Sequence, residues 1–271
     1  MSLSSNSELD EHFLEVFLTP LRECKKYQPA FGRGKKNSGS SYSAFEELYG
    51  SDPFYSWLGL ASEEVYAAHK AAGGLTSVYR QLGIGAERLF RAMLSNCLHL
   101  SEDQISWAYE YQVSNTKSGV HTLDARISLS DLADANAARV NNWLGNSLKA
   151  VTAGSAVGRS VSGVAFEVRQ GYKSADSKRQ NADLRFGIHA YQNALLPAFA
   201  VFSNQVSEPV ISRYRADGML VLTGTHSDDP TISTFAFAKQ VVGYDLASFF
   251  ERHKSELATE VQNIVGSLLK K

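Results

Sequence analysis

The sequence predicts an α/β fold, a central mixed β-sheet flanked by helices and preceded by a helical N-terminal region. Three observations carry this. Apolar residues recur at helical spacing in several stretches, alternate with polar residues from Gln104 to Leu129 and from Val164 to Arg169, and run almost unbroken from Leu195 to Ser203. The first pattern marks helices lying on a core, the second half-buried strands, the third a strand covered on both faces. With 271 residues, 44% of them hydrophobic, the chain can bury a substantial core. The expected division is a helical region over 1–100 and an α/β core over 101–271, folded together as one compact domain.

The N-terminal elements follow from spacing and punctuation. Leu9, Phe13, Val16, Phe17 and Leu21 place an amphipathic helix over Glu8 to Lys26, with Pro20 as a kink or stop. The stretch from Gln28 to Ser43 contains F-G-R-G-K-K-N-S-G-S-S, which reads either as a solvated loop or as a basic arm able to reach a phosphate backbone. Short helices are expected over Ser43 to Tyr49 and Ser62 to Ala72. Ser62 caps the second, Glu63 and Glu64 suit its N-terminus, and Gly73-Gly74 closes it. A further helix over Ala86 to Leu98 carries Leu89, Phe90, Met93, Leu94 and Cys97 on its apolar face, with Glu87 in its first turn.

From Gln104 the period becomes two. Ile105, Trp107, Tyr109, Tyr111 and Val113 form one strand, S-N-T-K-S-G turns, and His121 to Leu129 returns as the second strand of a β-hairpin. In that second strand Leu123, Ala125 and Ile127 share one face, and Asp124 and Arg126 share the other. A carboxylate in mid-strand opposes strand propensity, which raises the question of its use. Ser130 to Lys149 is expected as a helix capped by Ser130, and Ala150 to Gly163 as a loop. In the following strand Val164, Phe166 and Val168 face one way, Ala165, Glu167 and Arg169 the other. A helix over Ser177 to Asn193, buried strands over Leu195 to Ser203 and Gly218 to Thr223, and an amphipathic helix over Asp245 to Lys271 complete the chain. The apolar stripe of that last helix serves as core or as a dimer face.

Charge and cysteine content exclude several function classes. With 27 Lys and Arg against 28 Asp and Glu, the net charge of −1 excludes a polyanion-coating protein, so any nucleic-acid contact must come from a local patch. Cys24 and Cys97 make neither a disulfide framework nor a metal-ligand spacing. No apolar run reaches the roughly 18 residues of a membrane span and Met1 to Asp10 lacks the order of a signal peptide, so a cytoplasmic protein with no membrane partner is expected. Internal repeats are absent, as are a phosphate-binding G-x-x-x-x-G-K-[ST] loop, a G-x-S-x-G elbow and C-x-x-C. The seven histidines show no metal spacing.

Asp124 and Glu167 stand on strands that a meander places side by side. Converging carboxylates repel each other unless a cation lies between them, and a hard divalent ion such as Mg²⁺ takes oxygen ligands of this kind and acidifies a bound water. Asp124 and Glu167 are therefore the candidate metal ligands. Arg169, on the face of Glu167, or Lys173 beyond it, is the candidate cation for a phosphorane-like transition state. His121, close to Asp124, is a candidate proton carrier. From Arg169 to Arg185 the chain carries five basic residues (Arg169, Lys173, Lys178, Arg179, Arg185) and two acidic ones (Asp176, Asp183). Lys173, Ser174, Ser177, Lys178, Arg179, Gln180 and Asn181 are residue types that hold phosphates and read base edges. The competing interpretation is structural: Glu167 with Arg169, and Asp124 with Arg126, as edge-strand ion pairs contributing only ~0–1 kcal/mol.

An acidic residue on one strand, a variable gap, then Glu-x-cation on the next resembles the PD-(D/E)XK nuclease superfamily. The following Y-K-S-A-D-S-K-R-Q-N resembles the polar segment after the catalytic strand in certain type II restriction endonucleases. The resemblance spans about Gln104 to Thr223 and is strongest over Glu167 to Asn181. It implies a restriction-endonuclease-like sheet and Mg²⁺-dependent cleavage of double-stranded DNA by a homodimer, one active site for each strand. Asp124 and Glu167 are then the metal ligands, Arg169 or Lys173 replaces the motif lysine, and Glu87 matches the extra helix carboxylate of some members. The chain departs from the pattern in having Leu123 where proline is usual, Arg169 where lysine is usual, and a helix between the two strands. A non-catalytic nucleic-acid-binding protein on the same α/β frame is the alternative.

Overall fold

The computed structural model describes residues 3–31, 41–114, 117–152, 160–171 and 177–269. In chain order the elements are α1 (Leu3–Arg22), α2 (Tyr42–Gly50), α3 (Pro53–Trp57), α4 (Glu63–Leu98), α5 (Glu102–Ile105), β1 (Trp107–Ser114), β2 (Lys117–Leu123) and β3 (Ala125–Ser128). They continue with α6 (Asp134–Thr152), β4 (Gly163–Arg169), α7 (Ser177–Gln192), β5 (Leu195–Val201), α8 (Glu208–Ala216), β6 (Leu220–Leu222), α9 (Thr234–Phe237), α10 (Leu246–Arg252) and α11 (Lys254–Leu269). Two compact units result: residues 1–85 with 252–271, and residues 86–251. The division thus falls at 85/86 rather than at 100/101, and the last helix joins the N-terminal unit. Among the described residues no helix is long and apolar enough to cross a membrane.

In the first unit Pro20 lies inside α1 instead of ending it. Phe13, Leu18 and Leu21 on this helix are buried, so tertiary packing holds its last turn. The expected stop at Gly73-Gly74 is overturned, because α4 runs for 36 residues through both glycines and through Gly83 and Gly85. Three of these glycines let neighbours approach the helix closely. A Cβ would lie 2.0 Å from the Tyr27 hydroxyl at Gly73, 2.7 Å from Leu268 at Gly74 and 2.6 Å from the Phe17 carbonyl oxygen at Gly85. The C-terminal helix is broken at His253 into α10 and α11.

The second unit is built on a mixed four-stranded sheet in the order β3-β4-β5-β6, with β3 antiparallel to β4 and the remaining pairs parallel. The strand expected over His121 to Leu129 divides at Asp124. Residues before it pair with β1 in a separate two-stranded sheet, and residues after it pair with β4. The helix expected from Ser130 begins at Asp134, after a 3₁₀ turn over Leu129–Asp131. The sequence pattern also missed α8, whose nine residues bury only Val210, Ile211 and Tyr214. On one face of the sheet Phe166 packs with Phe90, Trp143 and Phe237 at ring separations of 5.0, 6.3 and 5.3 Å. On the other face Ala165 and Phe199 pack with Phe186 and Ala190 of α7 and Tyr214 of α8. By strand alternation Glu167 and Arg169 share this second face with Ala165, and Arg169 reaches Asp183 of α7.

Candidate functional site

The register of β3 and β4 sets Ala125 opposite Phe166, so one step further Asp124 stands opposite Glu167. Asp124 occupies the break between β2 and β3, and its side chain does there what a backbone carbonyl does in a ladder. Its Oδ2 accepts a hydrogen bond from the Val168 N–H at 2.6 Å, while its main-chain oxygen accepts one from Arg91 Nη1 at 2.6 Å. Burial pushes the Asp124 carboxyl up to about 7, and the charge of Glu167 adds to the shift. The Val168 N–H opposes it, Glu87 adds to it, and Arg169 opposes it.

Glu167 is the one residue of β4 that is half-buried rather than buried. Its Oε1 lies 2.9 Å from His121 Nε2, and its Oε2 lies 3.7 Å from Arg169 Nη2. The hydrogen bond to Glu167 raises the pKa of His121, against the effect of burial. Glu87, half-buried on α4, has its carboxyl raised first by burial, with Arg91 and Arg88 opposing and Glu167 contributing. The structure therefore brings Asp124, Glu167, Glu87 and His121 into one electrostatic neighbourhood. Tyr109 of β1 borders it, stacked on His189 at 4.2 Å, its hydroxyl pushed up to about 12 by burial and then by Glu167.

Arg169 is 7% exposed and its guanidinium is occupied inward. Nη2 donates to Asp183 Oδ1 at 2.6 Å, and the guanidinium carbon lies 5.2 Å from the centre of the Phe199 ring. Asp183 Oδ2 in turn accepts from the Tyr214 hydroxyl at 2.5 Å. Arg126 turns away from Asp124, its Nε donating to the Gln104 carbonyl. Gln180, expected to face DNA, is 8% exposed and accepts from Arg213 Nη1 at 2.7 Å, because its position on α7 points it toward α8. Asn181 is exposed. Lys173 and Ser174 lie outside the described residues, as do the side chains of Ser177, Lys178 and Arg179 in the first turn of α7.

The sequence reading missed Asp183 and Tyr214 as members of this cluster. A signal was present for the first. On α7, Asp183 shares a helical face with Phe186, Gly187 and Ala190, and a carboxylate on an apolar stripe needs a buried partner.

Among the described residues no group of three or more His, Cys, Asp or Glu side chains is arranged to hold a metal ion. Asp124 and Glu167 supply two hard oxygen donors on adjacent strands, and Mg²⁺ is commonly held by one or two carboxylates with waters and substrate phosphates completing its shell. The donor chemistry fits such an ion. Set against protein-family models, curated proteins and solved structures, the chain matches none.

Proposed function

We propose that the chain is a Mg²⁺-dependent endodeoxyribonuclease of the type II restriction kind, a homodimer on a restriction-endonuclease-like frame that hydrolyses phosphodiester bonds in double-stranded DNA. One observation carries this reading: Asp124, at the break just before β3, stands one step beyond the Ala125–Phe166 pair and so opposite Glu167 of β4, and its carboxylate is held in place by the N–H of the residue after Glu167. After burial, the charge of Glu167 opposes ionisation of Asp124, and a divalent cation beside them would relieve that opposition. Asp124 and Glu167 would hold the ion, which when bound supplies an acidified water and a Lewis acid for the phosphate. Glu87 adds negative charge beside the pair. His121, bonded to Glu167 Oε1 and 41% exposed at its side chain, can carry a proton between the site and solvent. The basic residues of the segment after β4, Lys173, Lys178 and Arg179, suit the phosphate backbone.

A second reading has its own support. The ion pair of Arg169 with Asp183 is buried, which suits a structural network in a non-catalytic nucleic-acid-binding protein. Plasmid cleavage separates the two. Wild type is expected to nick and linearise supercoiled DNA with Mg²⁺ and not with EDTA, and Asp124→Ala or Glu167→Ala to lower the rate by at least about 100-fold. Cutting that survives both substitutions removes the site assignment, and DNA binding without metal-dependent cutting favours the second reading.

A further inference from the structure

We propose that Asp183 is a positioning residue for Glu167: it draws the Arg169 guanidinium away from that carboxylate and so keeps Glu167 available to a divalent cation. The inference rests on the nuclease reading of the Asp124–Glu167 pair. Its basis is a competition of two carboxylates for one nitrogen. Arg169 Nη2 lies 2.6 Å from Asp183 Oδ1 and 3.7 Å from Glu167 Oε2, a hydrogen bond to the first and beyond hydrogen-bond reach of the second. The arrangement is held from behind. Asp183 Oδ2 accepts from Tyr214 at 2.5 Å, and the Tyr214 ring is stacked on Phe199 at 4.8 Å, the ring over which the guanidinium also lies.

Fold stability does not by itself call for the Arg169–Asp183 pair. Asp183 is 4% exposed on the apolar side of α7, where an ion pair gains little over apolar side chains of similar volume. Its electrostatic effect at Glu167 is direct. With Asp183 neutralised, the charge that draws Arg169 Nη2 away from Glu167 Oε2 is lost, and the site gains one net positive charge. Both changes oppose a bound cation. Removing the charge of Arg169 as well restores the original balance, so the double substitution separates this role from simple packing.

The test measures Mn²⁺ binding to the full chain by calorimetry, beside the Mg²⁺ dependence of plasmid cleavage. Asp183→Asn is expected to raise the Mn²⁺ dissociation constant at least about fivefold, and Tyr214→Phe, which keeps the ring on Phe199, to raise it about two- to threefold. The double variant Arg169→Gln/Asp183→Asn is expected to return to within about twofold of wild type. Thermal unfolding without metal establishes that each variant is folded; if Asp183→Asn is not, the Tyr214→Phe value decides. A dissociation constant unchanged in Asp183→Asn, or a double variant that binds no better than the single one, overturns the inference while wild type still cuts DNA. A wild type that neither binds Mn²⁺ nor cuts with Mg²⁺ overturns the nuclease reading, and this inference with it.

Discussion

At Asp124 the folded chain works against its own stability. The unfolded carboxyl titrates near 3.8, whereas burial and the charge of Glu167 raise the folded value to about 7. Between those two pH values the folded state keeps a proton that the unfolded state has released, so this group makes stability fall as pH rises from about 4 to about 7. Above that window the penalty is complete, and below it the group contributes nothing. Asn at this position remains neutral and can still accept the Val168 N–H. Asp124→Asn is therefore expected to stabilise the metal-free protein by on the order of 2 kcal/mol at pH 8, a gain that disappears below about pH 4. Denaturant unfolding of both proteins across that range checks it, and a variant less stable than wild type at pH 8 would contradict it. The same residue shows what sequence can reveal at this level. Asp124 stood out because a mid-strand carboxylate opposes propensity, and Glu167 because strand alternation set it beside Arg169. Asp183 reads in the sequence only as one of two acidic residues in a basic segment, because its partner Tyr214 lies on a helix with too few apolar residues to be recognised.

Among the elements, α4 departs furthest from its sequence reading, and its glycines explain why. Gly-Gly punctuates most chains because the backbone gives up more freedom there than at any other residue. Here close packing offsets that loss, and it differs at each position. At Gly83 nothing lies within 4 Å of an added Cβ, at Gly74 the neighbour is the flexible end of Leu268, and at Gly85 it is the backbone oxygen of Phe17. Gly83→Ala is expected to stabilise by about 0.5–1 kcal/mol through helix propensity alone. Gly85→Ala is expected to destabilise by on the order of 2 kcal/mol, since α1 must shift to admit the methyl group, and Gly74→Ala to fall between them. Thermal melts of the three variants give the order directly; equal effects at Gly83 and Gly85 would exclude close approach as the reason for the uninterrupted helix. Strands were more readable than helices because alternation over five or six residues is enough to define a face. The break at Asp124 was not readable, since the apolar alternation continues unchanged from Leu123 to Ile127 while the pairing partner switches from β1 to β4.

For the whole molecule the question is where a chain of net charge −1 gains affinity for a polyanion. Two basic segments compete for the role, the one with Arg33, Lys35 and Lys36 and the one with Lys173, Lys178 and Arg179, and both involve positions outside the described residues. Chain position favours the second. It follows directly from the strand that bears Glu167 and enters the first turn of α7, a helix of 16 residues whose N-terminal N–H groups attract phosphate. In chain order the first segment, between α1 and α2, adjoins neither Asp124 nor the strand of Glu167. Every phosphate that a variant leaves without its cation lowers the slope of log K against log salt by about 0.9. Lys178→Ala/Arg179→Ala is therefore expected to reduce that slope by close to 2 for a duplex fragment and to weaken binding about tenfold or more near physiological salt. Arg33→Ala/Lys35→Ala/Lys36→Ala should leave the slope unchanged. The reverse result, with the slope carried by the N-terminal segment, would make that segment a DNA-reaching arm and move the principal phosphate-binding surface away from the strand that bears Glu167.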